Sequence, residues 1–192
     1  MRCTCQTALA TWVRADVRPL TPSEEKECAA QAVRMSRASG RGVVGRTHTH
    51  TRTHTDSVGE KTLEQHRAAD LRGARGEKAW SIFWGVEWPK RVRDYVNPDF
   101  DPDSEIRTTQ MNPPALVLRN RDMKEKANRR YVLIQELGDH HVIWGWVRPK
   151  EVRDIRLEDP GNRKAPARFI KTGDLHRFPF YSKFPKRHQE VA

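Results

Sequence analysis

Four groupings of residues in this 192-residue chain have types and spacings that could do chemistry. His140 and His141 follow Asp139, so imidazoles that titrate near neutrality stand beside a carboxylate able to orient one of them. Neighbouring residues in a turn point opposite ways, however. No nucleophile signature, phosphate-cradling glycine loop or evident carboxylate pair accompanies them, so no catalysis is expected. Asp99, Asp101, Asp103 and Glu105 match the first half of a calcium loop. The glycine of its sixth place is Ser104 and the glutamate of its twelfth is Gln110, so a calcium site is not expected. His48, His50 and His54 alternate with threonine and arginine across Thr47–Thr55. That composition suits a metal, yet nothing preorganises it, and the tract reads as low complexity without a specific ligand. Cys3, Cys5 and Cys28 are too few and wrongly spaced for a disulfide scaffold or zinc knuckle, which points to reduced thiols. Neither a metal nor a cofactor is expected.

Charge gives the clearest functional direction. The net charge is +11, and it is carried by the flanks. Residues 1–75 hold 13 Lys/Arg against 8 Asp/Glu, residues 76–155 hold 14 against 13, and residues 156–192 hold 9 against 4. A nearly neutral middle between basic flanks suits a polyanionic partner. Lys90, Arg91 and Arg93 form one candidate nucleic-acid patch, and Arg148, Lys150 and Arg153 a second. No base-reading motif accompanies them, so phosphate contacts without sequence preference are expected, to DNA ahead of RNA. No apolar run reaches the roughly eighteen residues that a membrane helix needs. No apolar signal segment opens the chain, so it does not read as secretory, and reduced thiols suit a cytosolic or nuclear setting; the expected location is nuclear, with mitochondrial as the alternative because the opening residues are Arg- and Ser/Thr-containing. Oligomeric state is not legible in the sequence.

The elements that must position these residues centre on Tyr131–Ile155, the densest run of β-branched and aromatic residues. The pattern predicts strands over Arg130–Leu137 and Val142–Val147, joined at Gly138-Asp139. Ala79–Trp84, Trp88–Val92, Ala115–Leu118 and Val152–Leu157 read as further short strands. Asn97-Pro98, Asp101-Pro102 and Asn112-Pro113-Pro114 mark Tyr95–Pro114 as loop. Upstream, Thr21-Pro22-Ser23-Glu24-Glu25 has the form of a helix start, predicting a helix to about Ala38. A short helix within 60–75 would end at Gly73. The expected division is a disordered basic arm over 1–75, a β-barrel over 76–156 with an insertion at 93–130, and an irregular basic and aromatic extension over 157–192.

Several motifs in that barrel resemble the PWWP domain, a Tudor-like relative of the SH3 barrel. Gly76-x-x-x-Trp80 is similar to its opening strand, and Gly85-Val86-Glu87-Trp88-Pro89-x-x-Val92 to the signature that names it. Leu137-Gly138-Asp139 looks like its hairpin turn, and Trp146-Val147-x-Pro149-Lys150-x-Val152 like its closing motif. The resemblance implies a mainly β fold, a small five-stranded SH3-like barrel, and a chromatin-associated module contacting DNA and a methylated histone tail. Carried over residue by residue, the aromatic cage falls on Gly85 or Val86, on Trp88 and on Glu136, with Trp84 or Trp144 as replacements. An RNA-binding structural component of a ribonucleoprotein, such as an organellar ribosome, is the alternative that the charge distribution fits equally well.

Overall fold

In the computed structural model, residues 14–38, 62–90, 97–100, 102–158 and 166–178 are described. The β-branched run forms the predicted hairpin, β4 (Arg130–Leu137) and β5 (His140–Val147), turning at Gly138-Asp139. Six consecutive residues of β4, Tyr131 to Glu136, are buried. A strand covered on both faces needs apolar side chains pointing both ways, which Tyr-Val-Leu-Ile provides. Val132 and Ile134 enter one core with Ile106 and Ile143, while Tyr131 and Leu133 enter a second with Val147.

Strands β1 (Ala15–Val17), β2 (Ser104–Thr109), β4 and β5 make a four-stranded sheet in the order β1-β5-β4-β2. β2 runs parallel to β4, pairing Ser104 with Arg130 through Thr109 with Gln135. β3 (Ala115–Arg119) and β6 (Ala167–Lys171) pair antiparallel as a separate ribbon. Leu116, Leu118 and Ile170 from this ribbon cover the second core. The first core is covered by helices α1 (Pro22–Ala38) and α2 (Leu63–Trp84), which pack against each other and supply Cys28, Ala74, Ala79 and Trp80.

Local chemistry explains the helix limits. Thr21 and Glu24 form a reciprocal cap on α1, with Glu24 Oε2 2.8 Å from the Thr21 amide that donates to it. Arg18 clamps that carboxylate and holds it well below its usual range, at about 2. Thr62 and Gln65 cap α2 the same way, at 3.2 and 3.0 Å. α2 ends at Gly85, whose φ of 63° is the left-handed conformation that glycine adopts without a Cβ penalty. Burial pushes the Cys28 thiol up to about 12, so it behaves as a small apolar group.

This architecture corrects the barrel. The described residues hold six strands in two separate sheets together with three helices, and no closed barrel forms among them. Ala79–Trp84 is the last part of α2 rather than an opening strand. Trp80, Phe83 and Trp84 recur at helical spacing, which lets them stack at centroid distances of 5.3–6.1 Å. The disordered arm is corrected over residues 14–38 and 62–75, which form β1, α1 and most of α2. Pro149–Val152 is a short 3-10 turn, as a proline at its first position favours, and not the onset of a closing strand. β6 lies in the segment expected to be irregular, and β2 in the segment read as loop. No helix among the described residues is long and apolar enough to cross a membrane.

Candidate functional site

α2 crosses β2 where Gly76 meets Thr108. A Cβ on Gly76 would stand 1.8 Å from Thr108 Oγ1, so the absence of a side chain permits the crossing. The next residue, Glu77, is thereby brought to the outer edge of the sheet. Its Oε2 accepts a 2.9 Å hydrogen bond from Trp88 Nε1. Asp99 reaches the same edge from the loop before β2, where its Oδ2 accepts the Ile106 amide at 2.7 Å. Ile106 is on the unpaired side of β2, so Asp99 caps an edge amide that no neighbouring strand engages. Glu105 is the third carboxylate. It is buried, and its Oε1 accepts from Lys126 Nζ at 2.8 Å and from Arg129 Nη1.

These three acids come from a helix, a loop and a strand, 22 and 6 positions apart. Burial, then the charge of Asp99, pushes Glu77 up to about 8. Burial, then the charge of Glu105, pushes Asp99 up to about 6. Carboxyls whose environments move them into the neutral range are poised to hold or exchange protons, or to bind a cation that replaces those protons. All three supply oxygen, the donor that hard divalent cations take. No group of three or more His, Cys, Asp or Glu among the described residues forms a preassembled metal cage. Glu105 is engaged by Lys126 and Arg129, and a cation entering the edge would share or exchange those contacts.

Arg107 follows Glu105 by two positions in β2, so both lie on the face towards β3. Its Nη2 donates to Asp122 Oδ1 at 3.3 Å, and its guanidinium lies 5.1 Å from the Tyr131 ring centroid. Asp122 also accepts from Tyr131 Oη at 2.9 Å and from the Arg119 amide at 2.9 Å. Asp103, another member of the calcium-like run, is instead bound by Arg130 at 2.6 Å and Arg148 at 3.1 Å. The Asp-x-Asp spacing therefore sends its carboxylates to different partners.

The cage residues are not brought together. Trp88 is 5% exposed and directed at Glu77, with Lys78 and Lys90 each 5.8 Å from its ring. Glu136 is buried against Arg75 at 3.1 Å, Arg72 at 3.5 Å and Gln110 at 2.7 Å. Arg75 and Glu77 lie two positions apart on α2, about 200° around the helix, so Trp88 and Glu136 contact divergent faces. Trp84 and Val86 are exposed beyond them, with Trp84 against Phe178. Trp144 is half-buried against the second core, donating to Gln135 at 3.0 Å. Glu136 is thus a pin between helix layer and sheet. Glu136→Ala should destabilise the fold by about 2 kcal/mol, below the full cost of breaking a buried pair because both arginines are about a third exposed. Urea unfolding should show a lower midpoint with an unchanged slope.

The two basic patches engage different elements. Lys90 stands 3.8 Å from Glu27 of α1. Arg148 binds Asp103 and the Asn128 carbonyl, while Lys150 and Arg153 are exposed. Arg91 and Arg93 lie outside the described residues, as do Asp101, Cys3, Cys5 and the histidines of Thr47–Thr55. His141 is 2% exposed with neither ring nitrogen hydrogen-bonded, and burial lowers its pKa, so it is a neutral core residue. His140 is bonded only locally, its Nδ1 3.2 Å from Asp139. Sequence reasoning missed Glu77 altogether. A usable signal was its place three residues before Trp80 on what proves to be one helix. Comparison with protein families, characterised proteins and solved structures finds no match to this chain.

Proposed function

We propose that this protein hydrolyses phosphodiester bonds of a nucleic acid at the edge formed by Glu77, Asp99 and Glu105, using a divalent cation. The observation that carries the reading is the placing of Glu77, held by Trp88, and of Asp99, held by the Ile106 amide, beside the edge strand that carries Glu105, in a chain of net charge +11. The basic chain attracts a polyanion, yet an acidic edge alone would repel its phosphates. Glu77, Asp99 and Glu105 would hold a divalent cation, whose charge would offset that repulsion. When bound, it would polarise a phosphoryl oxygen towards attack by water. Glu77 and Asp99, shifted into the neutral range, would take up and return the protons of that water.

This departs from the expectation of a purely binding protein, which stands as the second reading. Nucleic-acid binding without chemistry, on chromatin or in a ribonucleoprotein, is favoured by the net charge of +11 and by exposed Lys150, Arg153 and Arg156, which alternate with Glu151 and Asp154. Labelled single- and double-stranded DNA and RNA, incubated with the full-length protein and magnesium, manganese or EDTA, separate the two. Cation-dependent scission is expected, with affinity falling steeply as salt rises. Salt-sensitive binding without scission would leave the second reading, and absence of both would remove nucleic acid as the partner.

A further inference from the structure

We infer that the cleft between β2, β3 and α3 (Asn120–Glu125) is a binding site for a terminal phosphate group of the nucleic acid. The cleft has a volume of about 290 Å³ and is lined by Arg107, Val117, Arg119, Arg121 and Asp122. Among the described residues, three arginines and one aspartate therefore line one small space. The carboxylate is a scaffold: its two oxygens take the Arg107 guanidinium, the Tyr131 hydroxyl and the Arg119 amide. Arg107 is fixed further by the Tyr131 ring beneath it, so its fork is oriented before any ligand arrives.

Planar guanidinium forks match phosphate oxygens in pairs, which a lysine ammonium does not do. A phosphate monoester carries a charge of roughly −1.5 to −2 near neutral pH, against one negative charge for an internal diester. A cleft whose described lining is three arginines and one aspartate suits the monoester better. The volume suits a single nucleotide-sized group and excludes a folded partner. Arg107 and Glu105 are separated by about 7 Å along β2, so a phosphate held in the cleft sets a chain end beside the carboxylate edge. The assignment rests on the reading that the partner is a nucleic acid, but not on cleavage.

The test uses the full-length protein in EDTA, where cleavage cannot interfere. Fluorescence anisotropy compares oligonucleotides of one sequence ending in phosphate or in hydroxyl, with inorganic phosphate as competitor. The phosphate-ended form should bind about tenfold tighter, and inorganic phosphate should remove that preference. Arg119→Gln with Arg121→Gln should abolish the preference, while lowering binding of the hydroxyl-ended form no more than the charge-matched Lys150→Gln with Arg153→Gln, which keeps the preference. If the first double variant loses its cooperative melt, Arg121→Gln alone gives the reading. Equal affinity for both forms, with inorganic phosphate silent, would overturn the site. Binding of inorganic phosphate without either oligonucleotide would overturn the nucleic-acid ligand. A preserved preference in a protein that never cleaves would count against the hydrolytic reading alone.

Discussion

Glu77→Gln should abolish scission, by roughly a hundredfold or more, while making the protein more stable at alkaline pH. The two effects share one cause. In the folded protein Glu77 is raised from its ordinary 4.5 to about 8 by burial and by Asp99. Between those values the native state holds a proton that the unfolded chain has released. Stability present below about 4.5 is therefore lost progressively as pH rises through 8. Glutamine keeps an oxygen to accept the Trp88 indole and has no proton to lose. Wild type and variant should melt together near pH 4–5, and the variant should gain of order 2 kcal/mol, or about 5 °C, near pH 9. His141 acts in the opposite window. Its lowered pKa contributes stability above about 6.5 that is lost as pH falls, and both proteins share that loss equally. A gain at alkaline pH with scission intact would separate the acidic edge from the chemistry. No gain at any pH would show that Glu77 is not held near Asp99. Added manganese should raise the wild-type midpoint at alkaline pH more than that of the variant, because a bound cation replaces the proton.

What the sequence makes legible follows from how local the cause is. The β4–β5 hairpin rests on adjacent residues and a Gly-Asp turn, and α1 on its Thr21–Glu24 cap; both stand where the pattern predicts them. β3 needs only Ala-Leu-Val-Leu. β2 is different. Ser-Glu-Ile-Arg-Thr-Thr has one strongly apolar residue and lies between proline-rich loop signals, so its strand character comes from parallel pairing with β4, about twenty-five residues away. The candidate site inherits that difficulty, because two of its acids flank a strand that local signals conceal and the third lies beyond a masked helix. Glycines hide that helix. Gly73 reads as a helix end and Gly76 as the first residue of an opening strand, so the pattern divides α2 between two elements. The tryptophans then fall in the walls of a barrel, and the cage that the PWWP resemblance implies falls on residues that face different partners. The acids Asp99 and Glu105 did stand out, through a calcium-like spacing, but as a loop rather than as two sides of an edge strand.

Gly76→Val should be the most destabilising single change in the helix layer, costing about 3 kcal/mol or more. Glycine in mid-helix is unfavourable by about 1 kcal/mol against alanine, so helix propensity alone predicts that a substitution helps. Packing decides the sign. A Cβ at this position lies 1.8 Å from Thr108 Oγ1, 3.0 Å from its Cβ and 3.2 Å from its Cγ2. One threonine rotamer turns its hydrogen towards the new side chain, but the Thr108 Cβ stays 3.0 Å away in every rotamer and valine adds two branches of its own. The helix must lift from β2 instead, and Ala79, Trp80 and Glu77 move with it. A double-mutant cycle isolates the contact. Gly76→Ala should destabilise the wild type by about 1 kcal/mol and stabilise a Thr108→Ala background by a similar amount, giving a coupling near 2 kcal/mol. Zero coupling would mean that α2 does not cross β2 here. In that case Glu77 would have no reason to meet Asp99, and the candidate site would lose its geometry along with its helix.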